Sequence, residues 1–530
     1  MTFQKRAIYL AATAALGVAG SAQAHTPWST TQTEVRISGS SSSSFMLMQT
    51  VINHVCDSNI DVFVDQPKTA PQAIDPDTKI LTHTTYWAVA CTAKASLGVT
   101  AHGGRVLVTK SDDGGSGNGT TPVVNGTALK FMTLTAASNC TLKNTHARLS
   151  DGSSYTWHDC DGTTVNRAPH AGISDIEPTK FVDSLAPASG NYVRPATNWV
   201  EKPLPGLLFG VAVTKRMYEE LQLDQGLGSD APGAQSLANM PSLPSPYVTS
   251  AFTGKIVNWN DQAINGQYLT GSAGFSSSVD ASVVVNGTLT EYDFNPAQVH
   301  LCRRVQGSGS HAQFVIHNMY TSCQLSTPAM PTYPGGGAFP VVIENSSSGT
   351  IGLCMDALDR GAPVPASKRV EMFPFLKGGH VAYAMAYQSL EKNMNLAENY
   401  RFVKIDGIAP TLQNAFIGDY RDIYYTNMQW NMNSNYYSSA QNPADPKVVP
   451  NGELTDYTAE VGKVLTVMSS LSAAALAVIN KGFVFPFGQG GYLLPSAAAP
   501  QGFDLNNPLT PWCRIDTSGA RDSCQDLSRC

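Results

Sequence analysis

The sequence predicts an α/β protein that works outside the cytoplasm. Three observations carry this: apolar strand-like runs that pass directly into helix-like runs, an even set of ten cysteines, and a secretory leader. The leader comes first. Lys5 and Arg6 precede the apolar run "AIYLAATAALGVAG", and "SAQA" closes it with Ala22 and Ala24 in small-x-small spacing. Residues 1–24 are therefore expected to be a signal peptide, with the mature chain starting at His25 and no lipid-anchoring cysteine at the cut. All ten cysteines follow that point, compatible with five disulfides. Cys140 with Cys160 and Cys302 with Cys323 are the close pairs, while Cys513, Cys524 and Cys530 suggest a pinned tail. Connectivity is otherwise open.

Composition excludes several functions. Removing Lys5 and Arg6 takes the formal charge from −6 to −8, which disfavours nucleic acid and anionic membrane surfaces as partners. The chain has no CxxC, no HExxH and no tight His/Cys cluster, so neither a metal nor a cofactor is expected. "WHDCD", Trp157 to Asp161, reads as a disulfide-bearing loop. Val464 to Asn480 is uncharged but short for a span and carries hydroxyls, so it reads as a buried helix; no membrane span is expected after leader removal.

"LLFGVAVT" (Leu207 to Thr214) is a continuous apolar run suited to a buried strand, and it leads into the helix-like "KRMYEELQL". "GHVAYAMAYQSLEKN" (Gly379 to Asn393) repeats the pattern. Between them lie loop-rich inserts: 111–121, 226–246, 268–289, 327–340 and 436–456.

Three serine-glycine turns stand out. In "RISGSSSSSFMLMQTVINHVC", Phe45, Met48, Val51, Ile52 and Val55 fall at helical spacing, which puts the serines at a helix N-terminus. Free N–H groups and the positive end of the helix dipole suit either a cap or a bound anion there. In "VHLCRRVQGSGSHAQFVIHNMY" a strand ends at Arg303-Arg304, and Gly307 to Ser310 precede a helical face. Glycine admits close approach, serine donates, and a guanidinium offers a fork of donors to an oxyanion. The absence of a GxxxxGK[ST] loop argues against a nucleotide site. The third turn is "KSDDGGSGNGTTPVV", with Asp175 downstream in "HAGISDIEPTKF". A carboxylate beside an anion site makes sense when the ligand carries a proton. Hydrogen phosphate can donate that proton to Asp; ionised sulfate cannot.

Together these residues resemble the periplasmic phosphate-binding proteins of ABC importers, in the type 2 periplasmic-binding-protein superfamily. "PSPYVTSAFTGKIVNWND" (Pro244 to Asp261) resembles the family stretch in which a short helix leads into "FTGKIxNWND". "RRVQGSGSHAQF" resembles "RRxDGSGTxxxF", "GISDIEP" resembles "GASDAP", and "ISGSSSSSF" resembles "GxGATF". "GHVAYAMAYQ" and "GDYRDIYY" resemble the family's second crossing and its return. The matched blocks run in family order from about Arg36 to Tyr425, as islands between unmatched inserts.

The resemblance implies phosphate contacts from Ser43, Ser44, Ser116, Asp175, Arg304, Ser308, Gly309 and Ser310, with Asp175 accepting the ligand's proton. It implies a two-lobe fold with hinge strands at "LLFGVAVT" and "HVAYAMAY". Lobe one would take 34–206 and, with inserts, 388–500; lobe two would take 207–387; a cysteine-rich tail would follow at 501–530. It also implies an ABC permease as a partner, and a non-catalytic protein.

Two departures stand against the pattern. Gln306 replaces the family's Asp, removing a charge partner for Arg304. Serines replace the Gly-Ala-Thr of the first turn. A secreted structural protein that kept the fold without the ligand is the alternative function. A phosphoester hydrolase ranks below it, because Ser308 and Ser310 have no GxSxG elbow and the adjacent His311 would not face Ser310 on a helix.

Overall fold

The computed structural model describes residues 32–65, 85–134, 140–160, 164–182, 185–196, 198–231, 234–264, 297–319, 340–361, 381–394, 396–431, 453–495 and 503–510, with short pieces between 264 and 297. The expected leader 1–24, most of the inserts 268–289, 327–340 and 436–456, and most of the tail 501–530 lie outside the described residues.

The chain begins with β1 (Thr33–Gly39), α1 (Ser44–Thr50, continued by a π turn to Val55), β2 (Cys56–Asp65), β3 (Tyr86–Ala93) and β4 (Arg105–Ser111). The short α2 (Gly115–Asn118), β5 (Cys140–Ala147), β6 (Ser154–Cys160) and β7 (Ala171–Ser174) follow. β8 (Trp199–Thr214) leads to α3 (Lys215–Asp224) and α4 (Ser245–Phe252). Next come β9 (His300–Arg304), α5 (Gly309–Asn318), β10 (Val341–Asn345), α6 (Ser348–Arg360) and β11 (Ala384–Ser389). The chain returns through β12 (Ile423–Asn431) to α7 (Glu453–Met468) and α8 (Ala473–Asn480).

One continuous mixed sheet joins these elements, in the order β10-β9-β11-β8-β12-β7-β1-β4-β3-β2-β6-β5. β8 spans its middle. Its first half pairs antiparallel with β12, from Trp199 opposite Asn431 to Leu208 opposite Ile423. Its second half pairs antiparallel with β11, from Phe209 opposite Ser389 to Val213 opposite Met385. From Leu204 to Thr214 every residue is buried, as an apolar run covered on both faces should be. "LLFGVAVT" is thus the far half of a longer crossing strand. The second expected crossing forms β11, which stays against β8 and β9, and the return runs onward into β12.

Register sets the functional edge. β1, β4 and β7 are parallel, with Ser38 opposite Ser111 and Gly39 opposite Ile173. β9 and β10 are also parallel, with Arg304 opposite Asn345. The loops after these strands therefore emerge at strand C-termini, where open α/β sheets bind ligands.

Several expectations meet the structure directly. α1 is helical as its spacing predicts, but it is buried on every side rather than on one face. "FTGKIVNWND" builds a turn. The Asp261 carboxylate accepts the backbone N–H groups of Val257 and Asn258 at 2.8 Å each, Gly254 supplies a φ of 71°, and Trp259 is fully buried. Val464 to Asn480 is two helices meeting at 70°, buried through Val464, Leu465, Met468, Leu476 and Ile479. No single helix among the described residues is long and apolar enough to cross a membrane.

Cys140 pairs with Cys160 across β5 and β6, so "WHDC" is strand rather than loop. Cys302 pairs with Cys354, not Cys323, because β9 packs against α6. Cys56 with Cys91 is a third bridge. Three disulfides suit an oxidising compartment.

Candidate functional site

The five serines after β1 form one wall. Ser40 and Ser42 both donate to Asp175 Oδ1, the latter at 2.5 Å. Ser116 donates to Oδ2 at 3.0 Å and accepts the Asp175 N–H at 3.1 Å. An ionised carboxylate has about four acceptor positions. Three are occupied by serines, which leaves one on Oδ2. Ser43 points back to Ser40 Oγ at 3.1 Å, and Ser44 is held by Asp112 at 2.5 and 2.6 Å. The hydroxyls that reach Asp175 are thus those of Ser40, Ser42 and Ser116, while Ser43 and Ser44, expected as phosphate contacts, bond to Ser40 and Asp112.

This loop takes its path from a lysine that sequence reasoning overlooked. Lys110 is fully buried, and its ammonium donates to Gly39 O at 2.9 Å, Ser40 O at 3.0 Å, Ser111 O at 3.1 Å and Asp112 Oδ1 at 2.5 Å. Burial pulls its pKa down, while the Asp112 carboxylate opposes that. A buried charge needs such partners. Here they fold the serine turn around the ammonium.

The second wall is centred on Arg304 at the end of β9. Its Nε donates to Asn345 O at 3.1 Å and its Nη2 to Ser346 O at 2.7 Å. Its Nη1 donates to Ser41 Oγ and Ser348 Oγ, both at 3.2 Å. Arg304 is buried yet forms no ion pair among the described residues; Gln306, where the family has Asp, is exposed. Burial lowers its pKa to about 10, against the more distant charges of Asp175 and Asp112. Four of its five N–H groups are committed to these acceptors, which leaves one donor on Nη2.

Ser308 and Ser310 flank the first residue of α5. Both are buried, and neither hydroxyl has a hydrogen-bond partner among the described residues. Ser308 holds the N-cap position but makes no side-chain cap, so its hydroxyl is not committed to the helix end. Gly309 is required by close approach: a Cβ there would lie 2.3 Å from Ser116 Oγ and 2.7 Å from Asp175 Cβ. Gly115 is required likewise, since its Cβ would meet Arg304 Nη2 at 2.5 Å. Behind Arg304, the cavity bounded by Phe252, Ser310, Phe314 and Tyr387 measures about 10 Å³, room for about one water.

The walls also touch directly. Gly117 N–H donates to Gly307 O at 2.8 Å, Gln313 Nε2 to Asp175 O at 2.5 Å, and Ser348 N–H to Ser41 Oγ at 3.1 Å. Ser348 begins α6, whose Ser347 makes a capping box with Thr350. It was not singled out from sequence, although "NSSSGT" before an apolar run repeats the serine-before-helix signal.

All eight expected residues thus lie at strand C-termini or helix starts near where the two walls meet, with Ser43 bonded to Ser40 and Ser44 to Asp112. Ser40, Ser41, Ser42 and Ser348 join them. A nucleophile is poorly served here. Burial and the Arg303 and Arg304 charges push the His311 pKa down to about 3, so the imidazole is a weak base. Among the described residues no group of three His, Cys, Asp or Glu side chains is placed to hold a metal.

No family model matches the chain, and no curated protein matches it. Solved structures do. A chain from Clostridium perfringens, described as a phosphate ABC transporter substrate-binding protein with bound phosphate, shows 11% identity and a TM-score of 0.28. That likeness covers 59% of this chain and 78% of the other. An ABC-type phosphate transport receptor from Vibrio cholerae shows 10% identity and a TM-score of 0.28, covering 62% and 80%. PstS from Borrelia burgdorferi shows 10% identity and a TM-score of 0.22, covering 51% and 70%. Resemblance at this level is distant.

Proposed function

We propose that the chain is an extracytoplasmic binding protein that captures inorganic phosphate, as a protonated oxyanion, between the two walls. The carrying observation is the buried Arg304, which has no carboxylate partner among the described residues, on the strand that leads to Ser308 and Ser310, whose buried hydroxyls are also unpaired among them. An anion satisfies all three at once. Hydrogen bonds to a charged group are worth about 1.5–3 kcal/mol each in such settings.

Asp175 supplies selectivity. Its one open acceptor position takes the proton of hydrogen phosphate, while sulfate offers none and is repelled. In this reading the lobes are 34–206 with 388–500, and 207–387, joined at β8 and closing as a hinge. The three disulfides accord with a periplasmic or secreted address. Delivery to an ABC permease is the partner role, and binding without covalent chemistry is the whole activity.

The alternative, a structural protein on the same scaffold, draws on the direct wall-to-wall bonds from Ser41 to Ser348 and Gly117 to Gly307. Calorimetric titration of the mature protein with phosphate separates the two. Saturable binding that Arg304→Ala abolishes supports a receptor; absence of heat together with an unchanged melting temperature supports the structural role.

A further inference from the structure

The serine loop after β1 reaches both charged groups of the candidate site at once. Ser40 and Ser42 donate to Asp175, while Ser41 between them turns to Arg304 on the opposite wall. Resting on the phosphate reading above, we propose that the Ser41 hydroxyl is an internal stand-in for one phosphate oxygen, which the incoming anion must displace.

Ser41 is 2% exposed, and the hydrogen bonds of its hydroxyl all run to the opposite wall. Its Oγ accepts from Arg304 Nη1 at 3.2 Å and from Ser348 N–H at 3.1 Å, and it donates to Ser348 Oγ at 3.0 Å. A hydroxyl has one donor and two acceptor positions, so this one is saturated. Completing α6 is not its task, because Ser347 already makes the capping box with Thr350. Its two donors are a guanidinium and the first backbone N–H of a 13-residue helix. Both favour a negatively charged oxygen over a neutral one.

The hydroxyl also excludes what it imitates. Both hydrogens of Nη1 are taken, one by Ser41 and one by Ser348. A phosphate oxygen can reach that edge of the guanidinium only where Ser41 Oγ now lies. There it keeps the Nη1 and Ser348 N–H bonds and brings the charge they lack, and the Ser348 hydroxyl can rotate to donate to it. The loop backbone stays in place during the exchange. Lys110 holds the carbonyls of Gly39 and Ser40 at 2.9 and 3.0 Å, and Ser40 Oγ accepts Ser43 N–H at 3.3 Å. Rotation of the Ser41 side chain to another staggered position vacates the place. Apparent affinity is the intrinsic affinity scaled by the fraction of molecules with the place vacant, so a loop plugged about two thirds of the time lowers it about threefold.

The test compares the full mature protein with Ser41→Ala by calorimetric titration with inorganic phosphate, and by thermal melts with and without saturating phosphate. We expect the variant to bind threefold or more tightly than the parent. Its ligand-free melting temperature should fall, while the two phosphate-bound proteins should melt together, because Ser41 contributes only when the place is empty. A purely structural hydroxyl would lower both melts alike. Ser41→Gly, which removes the whole side chain, takes the same measurements if the alanine variant does not fold. A parent that binds phosphate beside a folded variant that gains less than threefold, or loses affinity, overturns the proposal and leaves the phosphate reading standing. Phosphate binding by neither protein overturns both. Binding by the variant alone upholds both, with Ser41 closing the site in the parent.

Discussion

Gly309→Ala isolates closure of the cleft from folding. Gly309 is the first residue of α5, and its missing side chain is where the two walls meet. An added Cβ would sit 2.3 Å from Ser116 Oγ, 2.7 Å from Asp175 Cβ and 2.9 Å from Asp175 Oδ2. Carbon contacts are comfortable at about 3.5–4.0 Å, so the walls must part by roughly 1 Å. Overpacking of this kind costs about 1–3 kcal/mol. That converts to a loss of roughly 5- to 150-fold in phosphate affinity. The helix itself gains, since alanine is favoured over glycine by up to about 1 kcal/mol. Titration calorimetry reads the affinity, and a thermal melt without phosphate reads the fold. We expect weaker binding in a variant that still melts cooperatively. Unchanged affinity in a folded variant would refute the placement of phosphate between Gly309, Ser116 and Asp175.

Other outcomes follow from the same structure. Arg304→Lys keeps the charge but loses the fork that reaches Asn345, Ser346, Ser41 and Ser348; phosphate affinity should fall at least tenfold by equilibrium dialysis. Ser348→Ala should weaken binding by about 1 kcal/mol, read by the same titration, because it removes one hydroxyl from the Arg304 and Ser41 cluster. Breaking Cys302–Cys354 by a double Cys→Ala exchange frees a span of 52 residues and should cost about 4 kcal/mol in denaturant unfolding. Burial raises the Glu391 pKa from 4.5 to about 7, against the Lys392 charge and the bond from Tyr492. Between those values the folded chain keeps a proton that the unfolded chain has released. Stability should therefore fall by up to about 3 kcal/mol as pH rises through that window and level off above it. Glu391→Gln should flatten the melting temperature over the same pH range.

How much of this could be read from sequence depends on how local each signal is. Asp175, Ser116, Arg304, Ser308, Gly309 and Ser310 sit in turns at strand ends or helix starts, where neighbouring residues dictate what the backbone exposes. The first serine turn was found, but not which serines face inward. That choice is made by Lys110, whose ammonium draws in the carbonyls of Gly39 and Ser40 from 70 residues away in sequence. Lysine is rarely buried, so nothing local marks it. Ser348 reaches the site only because β10 lies beside β9 and delivers α6 to Arg304. The same packing explains the cysteines. Cys140 and Cys160 face each other on adjacent strands, a spacing visible in sequence, whereas Cys302 meets Cys354 through the docking of a helix on a sheet. The second half of β8 is legible as a strand because it is apolar throughout; its first half carries Glu201, Lys202, Pro203 and Pro205, which mask its full length.

The central claim is that Asp175 reads a proton on a tetrahedral oxyanion. Its most direct test is the ratio of phosphate to sulfate affinity at neutral pH, in the parent protein and in Asp175→Asn. The account predicts a large ratio in the parent that collapses in the variant, through weaker phosphate binding and newly measurable sulfate binding. A parent that binds both anions alike, or a variant that keeps the full preference, would contradict it.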